Sequence, residues 1–158
     1  MSRKYNLLIT SILILLVFIF FSFVLFNKSE NKKVDTKYNE GRVIDKNNQI
    51  YNYLKDDKKN IVHFWATWCS ACAQEHEFLK EYIKKNKDVN LISVLFKDDI
   101  SNVDFKNIKE LYQFNINDSN GFIALDFGVS GVPESFILDN KGKVLKHIIG
   151  SINNGELK

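Results

Sequence analysis

The two cysteines of the chain, Cys69 and Cys72, stand three residues apart in Trp68-Cys69-Ser70-Ala71-Cys72, inside the stretch FWATWCSACAQEHEF from Phe64 to Phe78. Three chemistries use such a pair: a redox couple, half of a metal site, or an inert structural disulfide. A closed zinc site needs four donors, and beyond the thiols the chain has only His63, His76 and His147 as nitrogen ligands. A Cys2His set for a softer metal stays open as a metal-binding or delivery module. A structural disulfide across so short a segment would remove little chain entropy. Redox exchange needs one thiolate that attacks a partner disulfide and a second thiol that releases the mixed disulfide.

The flanking sequence supplies that asymmetry. Asn60 to Ala66 (NIVHFWA) is a compact apolar run with β-branched and aromatic residues, the pattern of a strand buried on both faces. From Ser70 to Lys85 the apolar residues Cys72, Phe78/Leu79 and Tyr82/Ile83 recur at helical spacing. Cys69 then lies at the helix N-terminus, where unpaired N–H groups and the dipole favour a thiolate. Cys72, one turn on, lies on the inward stripe. The spacing therefore predicts an exposed attacker and a sheltered resolver. Glu75 shares the inward face. It is either a sheltered acid that moves protons to and from Cys72, or a residue the helix rotates into water. Glu75 and Glu77 come early in this helix and Lys84 and Lys85 late, which suits its dipole. His63 and His147 read as packed strand residues and His76 as a helix-surface residue. Trp65 and Trp68 read as packing, with Trp68 also shielding the thiols. Pro133, the chain's only proline, precedes a core strand. It is a cis residue in a tight turn or an ordinary trans residue at a strand start, and spacing does not choose.

Other elements follow from pattern. Val43–Asp45 and Ile50–Leu54 around Lys46–Gln49 predict a hairpin. Val89–Phe96 is a second core strand. Ser101-x-x-Asp104 resembles a capping box ahead of a helix through Phe105, Ile108, Leu111 and Tyr112. Phe114–Ile116 is a short strand and Ser119–Phe127 a short helix. Ser135–Asp139 and Val144–Ile149 form an antiparallel hairpin around Asn140-Lys141-Gly142. A strand–helix–strand unit followed by a hairpin predicts an α/β fold with a mixed central sheet and flanking helices.

Ahead of this domain, Leu7 to Phe26 has no charge, glycine or proline. A helix of about 20 such residues spans roughly 30 Å, the hydrocarbon core of a bilayer. The stretch after Phe26 offers no small-residue cleavage site, so the run is expected to be a retained anchor. Arg3 and Lys4 favour a cytoplasmic N-terminus. The expected organisation is a cytoplasmic tail at 1–6, a transmembrane anchor at 7–26, a linker at 27–40 and one domain at 41–158. The chain carries 22 Lys+Arg against 19 Asp+Glu. Arg3 and Lys4 precede the apolar run, so the rest is close to neutral, which argues against nucleic acid as a partner.

Three segments together resemble the DsbE/CcmG branch of the TlpA/ResA-like thiol–disulfide oxidoreductases: FWATWCSACAQEHEFL, FKDD at Phe96–Asp99, and LDFGVSGVPESFILD at Leu125–Asp139. The likeness covers roughly Gln49 to Ser151. It implies a thioredoxin-like fold with a helix–strand insertion around Ser101–Ile116. It also implies a single-pass anchor in the bacterial inner membrane, with the redox domain on the periplasmic or extracytoplasmic side. The implied activity is reduction of the Cys-x-x-Cys-His disulfide of apocytochrome c, with electrons from an integral-membrane thiol carrier and contact with the haem-attachment machinery. No cofactor is implied beyond the Cys69–Cys72 disulfide. By position, Cys69 is the nucleophile, Cys72 the resolver and Glu75 the buried acid. Pro133 is the cis-proline, and Val132 offers its backbone to the partner beside Trp68. A general disulfide reductase and a DsbA-like oxidant use the same residues. Two departures stand out: Ser70-Ala71 lacks the proline that relatives usually carry there, and Ile152–Lys158 is too short for the long final helix of such domains, which leaves either a thinly covered sheet face or a last helix of only about two turns.

Overall fold

The computed structural model describes residues 3–28, 40–44, 46–108, 111–153 and 155–157. The chain divides into two compact units, Met1–Asp35 and Thr36–Lys158. Among the described residues the first holds one helix, α1 (Arg3–Lys28), of 26 residues. Of its side chains, those of residues 9 and 11–23 are described, and from Ile12 to Phe23 every large apolar one is more than half exposed. Among the described residues no helix is long and apolar enough to cross a membrane. The expected linker lies mostly outside the described residues, at 29–39.

The second unit is a five-stranded mixed sheet. Its elements in chain order are β1 (Lys59–Trp65), α2 (Ser70–Lys85), β2 (Val89–Phe96), α3 (Phe105–Ile108), β3 (Phe114–Asp118), α4 (Phe122–Phe127), β4 (Glu134–Leu138) and β5 (Val144–Ile149). The strand order is β3-β2-β1-β4-β5. β1–β2 and β2–β3 are parallel, and β1–β4 and β4–β5 are antiparallel. β1 is central, and residues 60–65 are all buried. Its side chains alternate between two cores. Ile61 and Trp65 join Cys72 and Leu79 of α2, whereas Val62 and Phe64 join Ile50, Phe127 and Phe136 on the other face. The β4–β5 turn closes at Gly142, whose φ of +76° would strain any other residue and where a Cβ would meet the Tyr51 ring at 3.2 Å.

Several sequence expectations are corrected. No N-terminal hairpin forms among the described residues. Residues Gln49–Tyr53 are a 3-10 turn, because the Asn48 side chain accepts the Ile50 N–H and Ile50 is driven into the core. Arg42 and Ile44 instead meet the β4–β5 turn, with Val144 N–H donating to the Arg42 carbonyl and Ile44 N–H to the Gly142 carbonyl. Ser101 is not a capping residue. Asp99 accepts its N–H, and Asp104 accepts that of Lys106 ahead of the single-turn α3. α4 starts three residues later than expected, with the Asp118 carboxylate accepting from Ile123 and Ala124. No closing helix is present among the described residues after β5. Ile152 and Leu157 reach the α2-side core from irregular chain.

Candidate functional site

The end of β1 delivers the chain to Thr67-Trp68-Cys69. The approach is braced by Asp98, whose Oδ2 accepts from Thr67 N–H at 2.7 Å and from Thr67 Oγ1 at 2.6 Å. Its Oδ1 accepts from Asp99 N–H and Asn102 Nδ2. Burial pushes the Asp98 carboxyl up, but the hydrogen bonds from Thr67, Asn102 and Asp99 outweigh it and hold the group below its ordinary range. The FKDD segment thus acts as a clamp on the turn ahead of the cysteines.

Cys69 is the N-cap of α2, and its Sγ accepts the Cys72 N–H at 3.1 Å. A sulfur therefore occupies the place usually taken by a Ser or Asp oxygen, at the positive end of a 16-residue helix. Cys69 and Cys72 form a disulfide with Cα atoms 5.3 Å apart. Cys72 is wholly buried and Cys69 retains 7% exposure, so the contrast between the two is smaller than the spacing predicted. The exposed residue is Trp68, at 61%. It is not packed; Trp65 is.

Glu75 is buried, so α2 does not rotate it into water. Its Oε2 accepts from Ile152 N–H at 2.8 Å, and its Oε1 lies 3.1 Å from His63 Nε2. His63 Nδ1 in turn lies 2.9 Å from Ser135 Oγ, on the strand that pairs with it. His63 is thus part of a polar chain rather than simple packing. His76 also departs from expectation. It is half-buried, its ring meets Trp65 edge-on at 5.0 Å, and its Nε2 lies 3.1 Å from Tyr112 Oη. Burial, then the nearby His63, lowers its pKa to about 4. Burial, then Glu75, pushes the Tyr112 hydroxyl well above its ordinary range. The sign for His76 follows from proton counting: between about 4 and 6.5 the unfolded chain binds a proton that the folded one does not. Stability from this site is complete above 6.5 and is lost as pH falls towards 4. Urea midpoints of His76→Phe should therefore fall less across that window than those of the unaltered protein.

The Val132–Pro133 peptide is cis, which decides between the two readings of Pro133. Pro133 is buried, and Val132 packs against the core that contains both cysteines. The loop is held by Glu134, which sequence reasoning did not single out. Its Oε1 accepts from Ser130 N–H, Ser130 Oγ and Gly131 N–H at 2.9, 2.7 and 3.0 Å, and its Oε2 lies 2.8 Å from His147 Nε2. His147 is buried as expected and stacks on Phe136 at 4.1 Å. A carboxylate opening a core strand, with a histidine in the next strand, was the available signal. Among the described residues no three His, Cys, Asp or Glu side chains converge as metal ligands.

Residues 32–158 match the Redoxin family. The chain is 33% identical over 103 residues to the thiol:disulfide interchange protein DsbE of Yersinia pestis, covering 64% of this chain and 54% of that protein. Against DsbE of Escherichia coli K12 it is 30% identical over 115 residues, covering 70% and 60%. The chain thus spans little more than half the length of these curated relatives. Among solved structures, StoA from Bacillus subtilis is 27% identical with a TM-score of 0.50, covering 65% of this chain and 81% of that one. The thioredoxin domain of a Bacteroides vulgatus thiol-disulfide oxidoreductase is 19% identical with a TM-score of 0.52, covering 60% and 72%, a likeness of fold.

Proposed function

Because this chain belongs to the Redoxin family, we propose that it is a protein thiol–disulfide oxidoreductase that works through Cys69 and Cys72. The observation that carries this reading is the Cys69 sulfur in the N-cap of α2, receiving the Cys72 N–H. In the reduced protein the same N–H and helix end favour a thiolate at Cys69. That thiolate attacks one sulfur of a target disulfide, and the other target sulfur leaves as a thiolate. Cys72 then loses its proton to the Glu75 carboxylate and attacks Cys69 Sγ. The Cys69–Cys72 disulfide forms, and the target departs as a dithiol carrying both electrons. Trp68, exposed beside the pair, and the backbone of Val132 ahead of Pro133 are the surfaces offered to the target, the latter in the manner of an added strand.

The proposed target is the oxidised Cys-x-x-Cys-His segment of an apocytochrome c. Electrons are returned by an integral-membrane thiol carrier, and the haem-attachment machinery receives the product. The DsbE names of the relatives and the three shared motifs support this reading. α1 is proposed as a single-pass anchor in the inner membrane, with the redox domain outside the cytoplasm. Its exposed apolar side chains support the placement, as does the need of a cycling disulfide for an oxidising compartment. Full-length protein in cell membranes should resist extraction by alkaline carbonate; release into the soluble fraction overturns the anchor. Reduced full-length protein in detergent should reduce an oxidised Cys-x-x-Cys-His peptide faster than an unrelated disulfide peptide of equal length. Equal rates overturn the cytochrome target and leave general exchange standing.

A further inference from the structure

Beside Glu75 lies a histidine, His63, that the exchange chemistry above leaves unused. The side chains of His63 and Glu75 are 0% and 2% exposed. His63 Nε2 and Glu75 Oε1 approach to 3.1 Å, and neither atom has another hydrogen-bond partner among the described residues. The 3.1 Å approach is thus a contact between two buried polar atoms and not a formed hydrogen bond. The remaining atoms are fixed. Glu75 Oε2 holds the Ile152 N–H, and His63 Nδ1 holds the Ser135 hydroxyl. Oε1 is therefore the carboxylate oxygen left to take a proton, and Nε2 is the group that faces it.

We propose that His63 is a positioning residue for the release step: its Nε2–H holds Glu75 as the carboxylate that receives the Cys72 proton, and so sets the pH at which Cys72 becomes a nucleophile. This rests on the assignment of Cys72 as resolver. The role requires the tautomer with the ring proton on Nε2, in which the Ser135 hydroxyl, 2.9 Å from Nδ1, is the donor of that pair. Hydrogen bonding to the charged form of a buried carboxyl lowers its affinity for a proton, and without it desolvation raises that affinity. The other titratable groups at this place are His76 and Cys72 on α2 and Tyr112 from the segment before β3. His76, with a pKa of about 4, and Tyr112, held protonated, keep their charge through the neutral range. Lys80 and Glu77 act on His76 from the outer side of α2.

The test uses reduced full-length protein in detergent mixed with excess of an aromatic disulfide whose thiolate absorbs in the visible. Attack by Cys69 releases one aromatic thiolate. Attack by Cys72 on the mixed disulfide releases the second and forms the Cys69–Cys72 bond. In His63→Leu the pH midpoint of the second phase should rise by about one unit, so that at pH values below the midpoint this phase slows about tenfold, while the first phase keeps its profile. His63→Gln, which returns an N–H donor that does not titrate, should restore the midpoint. Ser135→Ala should raise it by a smaller amount, and provides the test if His63→Leu does not fold. An unshifted second phase in His63→Leu or Ser135→Ala overturns the proposal, as does an equal shift of both phases. If the unaltered protein shows no second phase, the resolver assignment itself fails and takes this one with it.

Discussion

Replacing Cys69 with serine should lower the rate of disulfide exchange at least about a thousandfold. The variant loses the only attacking sulfur, and a serine hydroxyl at neutral pH is no substitute for a thiolate. Cys72→Ser should behave differently. The first attack should proceed at near its normal rate, and the protein should then stall as a mixed disulfide through Cys69. The two variants separate because the disulfide ties residues with unlike surroundings. Cys69 is at a helix end, with an N–H aimed at its sulfur, and Cys72 is fully buried on the inner face of the same helix. Mass spectrometry of the non-reduced products reads both outcomes. Turnover surviving in Cys69→Ser, or adducts carried by Cys72 in the unaltered protein, would invert the assignment.

The largest effect on stability should come from Glu134→Leu, with a loss of about 3 kcal/mol or more and a fall in Tm of roughly 10 °C. Glu134 is 1% exposed, and one of its oxygens collects two N–H groups and a hydroxyl from Ser130 and Gly131. Its other oxygen meets His147 across the β4–β5 pair. Leucine leaves those donors buried without this acceptor and frees the loop that carries Val132 and Pro133. Glu134→Gln keeps one acceptor and should lose about half as much. The carboxyl also has a pH signature. Burial pushes it up, but the hydrogen bonds from His147, Ser130 and Gly131 hold it below the ordinary glutamate range. Its contribution is complete above that range and is lost as pH falls through the lowered value. Urea unfolding read by tryptophan fluorescence measures both effects. A Glu134→Leu protein within 1 kcal/mol of the unaltered one would show that the loop is held by something else.

The sequence made the β1–α2 unit plain because two independent signals agree there. An apolar run with β-branched residues changes at Ser70 to a stripe of helical period, and the observed helix has the predicted bounds, Ser70–Lys85. The same stripe put Glu75 on the inward face without deciding whether it is sheltered or turned to water; the structure buries it. The hairpin expected at 43–54 failed because alternation in Ile50-Tyr51-Asn52-Tyr53 is outweighed by local and distant bonds. Asn48 caps a 3-10 turn, and Asn90 on β2 donates to the Tyr53 carbonyl. His76 was placed at the surface because nothing nearby in sequence covers it. Its cover, Tyr112, comes from 36 residues away. His63 with Ser135 and Glu134 with His147 are cross-sheet pairs, visible only once strand order and register are known. Composition and period say which positions are inside; they do not say which inside positions meet.

The most direct test is the pH dependence of alkylation of the reduced protein, with each cysteine followed separately by mass spectrometry. Cys69 should be modified first, with a midpoint well below the value near 8.5 of a free thiol, while Cys72 reacts much more slowly. Equal rates at the two cysteines, with Cys69 titrating near 8.5, would contradict the proposal that α2 holds an attacking thiolate at its N-terminus.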